Sequence, residues 1–270
     1  MTFRPPLDAV GVLEYLRPRC IPGVEAVRVG RYTRTLRAGG TVGVRPQAGT
    51  VAVDIRGDRG AGRRIARRLL DLDADPDAVA STFGPDRLLG SVWRRHPGVR
   101  VPGCAEGFEL ACRALLGQQV SVAGATTLAG RLVAMLGTPA ATEPPLSHTF
   151  PAPEAIADAP LERIGLPRTR AAALRALGAA VASGSLRLEP GAEVEDTRGR
   201  LLQLPGVGPW TAEYVALRAL GDRDAFPGTD LGLRRAAERL GASASSLADT
   251  AEAWRPYRAY AAMLLWWSLA

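Results

Sequence analysis

The chain has 270 residues, 47% of them hydrophobic, which is enough to bury a core and too apolar for a disordered protein. Its 34 basic residues, all Arg, outweigh 27 acidic ones for a net charge of +7, a balance that favours an anionic partner such as nucleic acid. No apolar run reaches the length of a membrane span and the first residues form no signal peptide, so the sequence predicts a soluble, cytoplasmic protein with no membrane partner.

Residues 1 to about 83 read as a small α/β lobe. Short Val- and Thr-rich runs at 23–30, 31–37, 40–45 and 50–55, separated by glycines, predict an antiparallel meander. Residues 63–72, RRIARRLLDL, carry apolar side chains at helical spacing and are predicted to pack on one face of that sheet. The four arginines of this run, Arg63, Arg64, Arg67 and Arg68, read either as a solvated face or as a DNA contact. From Pro85 onward the period is helical. Helices are predicted near 85–95, 107–117, 121–136, 153–158, 161–164, 169–183, 193–203, 209–220, 230–240, 244–252 and 256–268, with a Pro- and Thr-rich loop at 138–153. Short connections and few β-branched runs make this part an all-α bundle, and the whole chain α+β. Cys20, Cys104, Cys112, His96 and His148 show no C-x-x-C or H-x-H spacing, which argues for a reducing compartment and against zinc.

Residues 201–235, LLQLPGVGPWTAEYVALRALGDRDAFPGTDLGLRR, concentrate the chemistry. Pro205-Gly206-Val207-Gly208 separates two helical runs, and its glycines permit a tight hairpin. Pro209 suits a first helical position. The amides of Trp210 and Thr211 then point out of the hairpin, where a phosphate would fit. The same turn also suits an ordinary helix–helix connection. Asp230 opens the following helix. It reads as a cap or, if Thr229 caps instead, as a carboxylate free to face a cleft. Trp210 and Tyr214, four residues apart, share one helix face, as core aromatics or as a ring platform.

LPGVG-x-WTA resembles the helix-hairpin-helix element of the DNA glycosylase superfamily, and FPGTDLGLRR places Asp230 where that superfamily carries its catalytic aspartate. AWRPYRAYAAMLLWW, at 253–267, resembles the C-terminal helix of the DNA-3-methyladenine glycosylase II, or alkylation-repair, family. The likeness also covers RVPGCAEGFELACRALLGQQVSVAGA, at 100–125, and extends more loosely over nearly the whole chain. It implies an N-terminal lobe over 1–83 and a helical core over 84–270. Within that core, 107–222 form the helix-hairpin-helix subdomain and 84–106 plus 223–270 a second one, with the active site in the cleft between them.

By the same resemblance Asp230 stabilises the positive charge that builds on deoxyribose as the N-glycosidic bond breaks, and orients or deprotonates the attacking water. Trp210, Tyr214 and Trp266 line the base pocket, with Leu231 where the family tends to carry a Tyr. A cationic alkylated purine over an indole face gains roughly 0.5–2 kcal/mol. Trp254, Tyr257, Tyr260 and Trp267 are left to the core. Gln119, in LLGQQVSV, stands at the position that fills the gap left by an extruded base; it also reads as an exposed loop residue. Phosphate contacts are implied for the Gly206 and Gly208 amides and Thr211, with Arg218, Arg234 and Arg235 as further contacts. A structural Na or K ion is implied at the carbonyls of Leu202, Leu204 and Val207. No catalytic cofactor, zinc or iron–sulfur cluster is implied, since the four-cysteine loop of the endonuclease III branch is missing. The expected protein is a monomeric, monofunctional glycosylase acting on double-stranded DNA with alkylated bases, cytoplasmic and nucleoid-associated. One alternative is an 8-oxoguanine-type glycosylase/lyase, but that branch places a Lys where Trp210 stands. Another is a non-catalytic DNA-binding protein, which has no use for Asp230.

Overall fold

The computed structural model describes residues 1–269. Four strands, β1 (Glu25–Arg28), β2 (Arg31–Thr35), β3 (Thr41–Gln47) and β4 (Thr50–Arg56), form the antiparallel meander that the glycine-punctuated sequence predicts, in the order β1-β2-β3-β4. Alternation puts Tyr32, Val42, Val44 and Val51 on the buried face. Helix α2 (Arg59–Leu69) starts earlier than predicted because the Asp58 carboxylate accepts from the Gly60 and Ala61 amides at 2.7 and 3.0 Å. It lies close on β4: a Cβ at Gly62 would sit 2.7 Å from the Ile55 side chain.

Two short helices are absent from the sequence reading. Helix α1 (Ala9–Leu16) is capped by Asp8 through the Gly11 amide at 2.8 Å and buries Val12, Leu13, Tyr15 and Leu16. Helix α3 (Pro76–Phe83) is capped by Asp75 with Pro76 at its first position. Each spans eight residues, too few turns for the period to stand out. The helix expected at 85–95 is shorter: the Asp86 carboxylate takes the Leu88 and Leu89 amides into a turn, and α4 begins only at Gly90 and ends at Arg95.

The remaining helices are α5 (Gly107–Leu116), α6 (Val122–Leu136), α7 (Pro153–Ala157), α8 (Arg168–Ala182), α9 (Val194–Leu202), α10 (Pro209–Val215), α11 (Leu231–Arg239), α12 (Leu247–Ala251) and α13 (Arg258–Trp267). The predicted 161–164 segment is a 3-10 turn, and 244–246 is another one ahead of α12. The predicted helix 209–220 changes period at Ala216: residues Ala216–Leu220 form a π turn that ends at Gly221, φ +76°.

Two apolar cores result. One joins the sheet, α1 and α2 to α3, α4 and the C-terminal helices, with Trp254 and Tyr260 fully buried in it. The other fills the space among α5, α6, α8 and the hairpin helices, and takes in Ile21 and Val24 from the N-terminal lobe. A buried ionic cluster pins the sheet to α5. Arg34 bonds Glu25 and Glu109, and Arg113 bonds the same two carboxylates at 2.8 and 3.2 Å. Burial alone would push the Glu25 carboxyl up. Arg113 and Arg34, with the Tyr32 hydroxyl and the Ile21 amide, hold it below the usual glutamate value.

Candidate active site

The 205–208 turn joins α9 to α10 with Gly206 at φ +74°, where any side chain would be strained and would press on Ala173. Gly208 is the N-cap of α10, with φ −104° and open space around it. Among the described residues the amides of Gly206, Gly208, Trp210 and Thr211 have no acceptor, so the hairpin presents four uncommitted N–H groups. The Leu204 carbonyl accepts from the Val207 amide at 3.2 Å, whereas those of Leu202 and Val207 take no backbone hydrogen bond among the described residues. The Thr211 side chain is a different matter. It is buried, and its hydroxyl accepts from Gln118 Nε2 at 3.0 Å, the same amide that donates to the Gly206 carbonyl at 2.9 Å. The side chain is thus part of a brace that leaves the Thr211 amide uncommitted, and Gln118, not singled out in the sequence, provides it.

Asp230 is the N-cap of α11, and it also faces the cleft. Its Oδ1 accepts from the Leu233 amide at 2.9 Å and from Trp266 Nε1 at 3.1 Å, while Oδ2 accepts from Trp210 Nε1 at 2.8 Å. Capping and clefting are therefore one arrangement: the cap fixes one oxygen and two indoles from α10 and α13 clamp the pair. Trp210 and Tyr214 stack at 5.3 Å and 11°, as four-residue spacing on α10 allows, and Trp266 meets Tyr214 edge-on at 6.3 Å. Gly232 keeps the space clear, since a Cβ there would lie 2.9 Å from Asp230 Oδ1.

These side chains border a cavity of about 300 Å³, together with Tyr15, Arg19 and Arg113 and the rim residues Val120, Ser121 and Val122. Tyr15 arrives from α1, so the N-terminal lobe builds one wall. Its hydroxyl lies 3.4 Å from that of Tyr214, and Arg218 Nη1 donates to both, at 2.8 and 2.9 Å. Arg19 lies over the Tyr15 ring at 3.8 Å. Burial would push the Tyr15 hydroxyl up, but Arg218, then Arg19, hold it below the usual tyrosine value; Tyr214, buried beside Tyr15, lies above it.

Two residues singled out in the sequence, Leu231 and Arg218, stand elsewhere. Leu231 does not border the cavity and is 67% exposed, because the cap turns the residue after Asp230 outward. Arg218, expected at a phosphate, is buried and spends its donors on Tyr15, Tyr214 and the carbonyls of Pro102 and Gly103. Gln119 is exposed at φ +58° beside the cavity rim without bordering it. The rim's own exposed apolar side chains are Val120 and Val122, each 40% exposed. The run QQVSV carries that signal, as an apolar pair in a polar loop where a wedge is wanted. Arg234 donates to the Gly228 carbonyl at 3.3 Å, and Arg235 is exposed.

Residues 1–106 match the AlkA N-terminal domain and residues 112–256 match the HhH-GPD superfamily base excision DNA repair protein profile. The chain is 44% identical, over its full length, to a probable bifunctional transcriptional activator/DNA repair enzyme AlkA of Mycobacterium tuberculosis, and covers 56% of that protein. It thus spans about half the length of this mycobacterial relative. It is 32% identical to DNA-3-methyladenine glycosylase 2 of Escherichia coli, over 99% of the chain and 96% of the relative. Among solved structures it is similar to a 3-methyladenine DNA-glycosylase from Archaeoglobus fulgidus, with a TM-score of 0.86 at 24% identity, covering 99% of this chain and 97% of that one.

Proposed function

The chain belongs to the HhH-GPD superfamily of base excision DNA repair proteins, and on that premise we propose that it is a monofunctional DNA glycosylase that extrudes alkylated purines from double-stranded DNA and hydrolyses their N-glycosidic bond. Bases of the 3-methyladenine and 7-methylguanine type are its proposed substrates. The observation that carries this reading is the Asp230 carboxylate at the edge of a ring-walled cavity, with both oxygens held by indole N–H groups. A base seated among Trp210, Tyr214 and Trp266 brings its sugar carbon toward that carboxylate. The fixed negative charge stabilises the oxocarbenium-like state and directs water to it. The hairpin amides supply a phosphate seat, and the free Leu202 and Val207 carbonyls, with that of Leu204, suit a monovalent cation that braces the turn. Val120 and Val122, beside Gln119, suit a wedge into the base stack. The proposed enzyme acts as a monomer on the nucleoid DNA of the cytoplasm.

Asp230→Asn tests the assignment. One of the two carboxylate acceptors becomes an NH₂ group facing an indole N–H, so charge and one clamp are lost together. Excision of 3-methyladenine should fall by about 10²–10³-fold or more, with binding to an abasic-site duplex retained. Near wild-type release would remove Asp230 from the chemistry.

A further inference from the structure

Two of the residues that border the cavity share a second polar feature. Tyr15 and Tyr214 bring two hydroxyls to 3.4 Å, and one guanidinium nitrogen of Arg218 donates to both. Each phenol has one proton to give, and Arg218 has no acceptor, so neither proton is directed at it. One of the two protons makes the bond between the hydroxyls. The other has no acceptor among the described residues, and both rings border the cavity. Protein interiors rarely leave such a donor unused.

We propose that this surplus hydroxyl proton is a hydrogen-bond donor to the extruded base, and that it speeds release of neutral purines relative to cationic ones by bonding a lone-pair acceptor on their edge. The proposal rests on the glycosylase reading. When the bond between sugar and base breaks, its electron pair goes to the base, water adds to the sugar carbon, and the water's proton leaves for the base or solvent. A cationic purine becomes neutral in this step. A neutral purine becomes an anion, and a donor on its ring stabilises the charge as it develops.

The charges around the cavity agree with this wider use. Arg113 is paired with Glu25 and Glu109, whereas Arg19, with no carboxylate partner among the described residues, donates to the Tyr15 carbonyl at 2.7 Å and brings an unneutralised charge to the cavity that Asp230 borders. Tyr15 faces Arg19, Arg113, Arg218 and Tyr214, and burial opposed by these groups leaves its hydroxyl more acidic than an ordinary phenol. A more acidic hydroxyl is a better donor. Once Tyr15 ionises, its oxygen accepts the hydrogen bond of the Tyr214 hydroxyl, and no surplus proton remains.

The test is single-turnover excision from duplexes carrying one hypoxanthine, a neutral base, or one 7-methylguanine, a cationic one. It compares wild type, Tyr15→Phe, Tyr214→Phe and the double variant. Each single change removes one proton together with the bond that consumed one, so a free proton remains; the double change leaves none. The loss of hypoxanthine excision in the double variant should exceed the product of the two single losses by at least about fivefold. Excision of 7-methylguanine reports whatever the altered Tyr214 wall costs any base, and the hypoxanthine loss in the double variant should exceed it by at least about threefold. The wild-type hypoxanthine rate should also fall at a lower pH than that of Tyr15→Phe, whose remaining proton belongs to Tyr214. Equal losses on both bases in the double variant would overturn the proposal, because the hydroxyls would then only hold Arg218. So would additive losses in the singles, coincident pH profiles, or no hypoxanthine release by the wild type. If the double variant fails to fold, the pH profiles of the other two proteins decide. Absence of 7-methylguanine release by the wild type would instead overturn the glycosylase reading itself.

Discussion

Asp230 carries its neighbours with it. Its Oδ1 has two donors, Leu233 and Trp266, while Oδ2 has only Trp210. An indole that donates to a carboxylate is a charge-assisted donor worth about 1.5–3 kcal/mol. Trp210→Phe should therefore slow 3-methyladenine excision by about ten- to a hundredfold, and Trp266→Phe by less, since Oδ1 keeps its cap. Single-turnover rates on the same duplex separate the two. Replacement by Ala would remove clamp and wall together and would say nothing about either. The residues of this site are legible in the sequence through the resemblance of LPGVG-x-WTA and FPGTDLGLRR to the glycosylase motifs, whereas by position alone Asp230 reads as a helix cap and the two rings as core. The hydrogen bonds are not, since Trp266 meets Asp230 across 36 positions of sequence. Leu231 shows the limit in reverse: adjacency to Asp230 in sequence turns it out of the cavity, not into it.

At the scale of elements, the hairpin and the helix that follows divide the labour. Gly208 sits in ordinary extended geometry with nothing within 4 Å of a built Cβ, so Gly208→Asp introduces a carboxylate without strain. Repulsion at the uncommitted amides should weaken binding of any duplex, damaged or not, by about tenfold or more, and flatten its salt dependence. The saturating single-turnover rate should hardly change. Unaltered affinity in a folded variant would remove the hairpin from the DNA interface. Downstream, the π turn at Ala216–Leu220 re-aims Arg218 into the core beneath Tyr214. A helix drawn at even period across 209–220 misses that shift. Long, strongly periodic helices such as α6 and α8 are legible to within a residue or two, whereas α1 is not, and with it the Tyr15 wall.

The whole molecule depends on the sheet being locked to α5. Arg34, Glu25 and Glu109 are almost fully buried, and Arg34→Met would leave two carboxylates to share Arg113. The loss should be about 3–5 kcal/mol, seen in denaturant unfolding. Because the folded Glu25 pKa lies below its unfolded value, its contribution is present above the ordinary glutamate pKa and is lost as the pH falls through the folded one. The acid limb of the melting curve should flatten in the variant. A second global property is the absence of lysine. Within these 270 residues the one primary amine is at Met1, and it donates to the Val51 carbonyl at 2.6 Å, in the sheet. Arg stays protonated and cannot form a Schiff base. Borohydride should therefore trap no protein–DNA adduct during base release, and the product should be an intact abasic strand. An adduct that survives blocking of the amino terminus would overturn the monofunctional assignment.

Because Tyr15 and Arg19 reach the cavity from a segment that precedes the sheet, and Ile21 and Val24 complete the core of the other half, the lobe is not detachable. Trimming the gene to the helices should leave a fragment with an open-sided cavity and a hole in its interior. A protease cut at the exposed Gly39 corner should likewise cost base selection before it cost DNA binding. For anyone grafting or shortening this scaffold, the segment from Tyr15 to Val24 has to be kept for the cavity to stay walled and the second core filled.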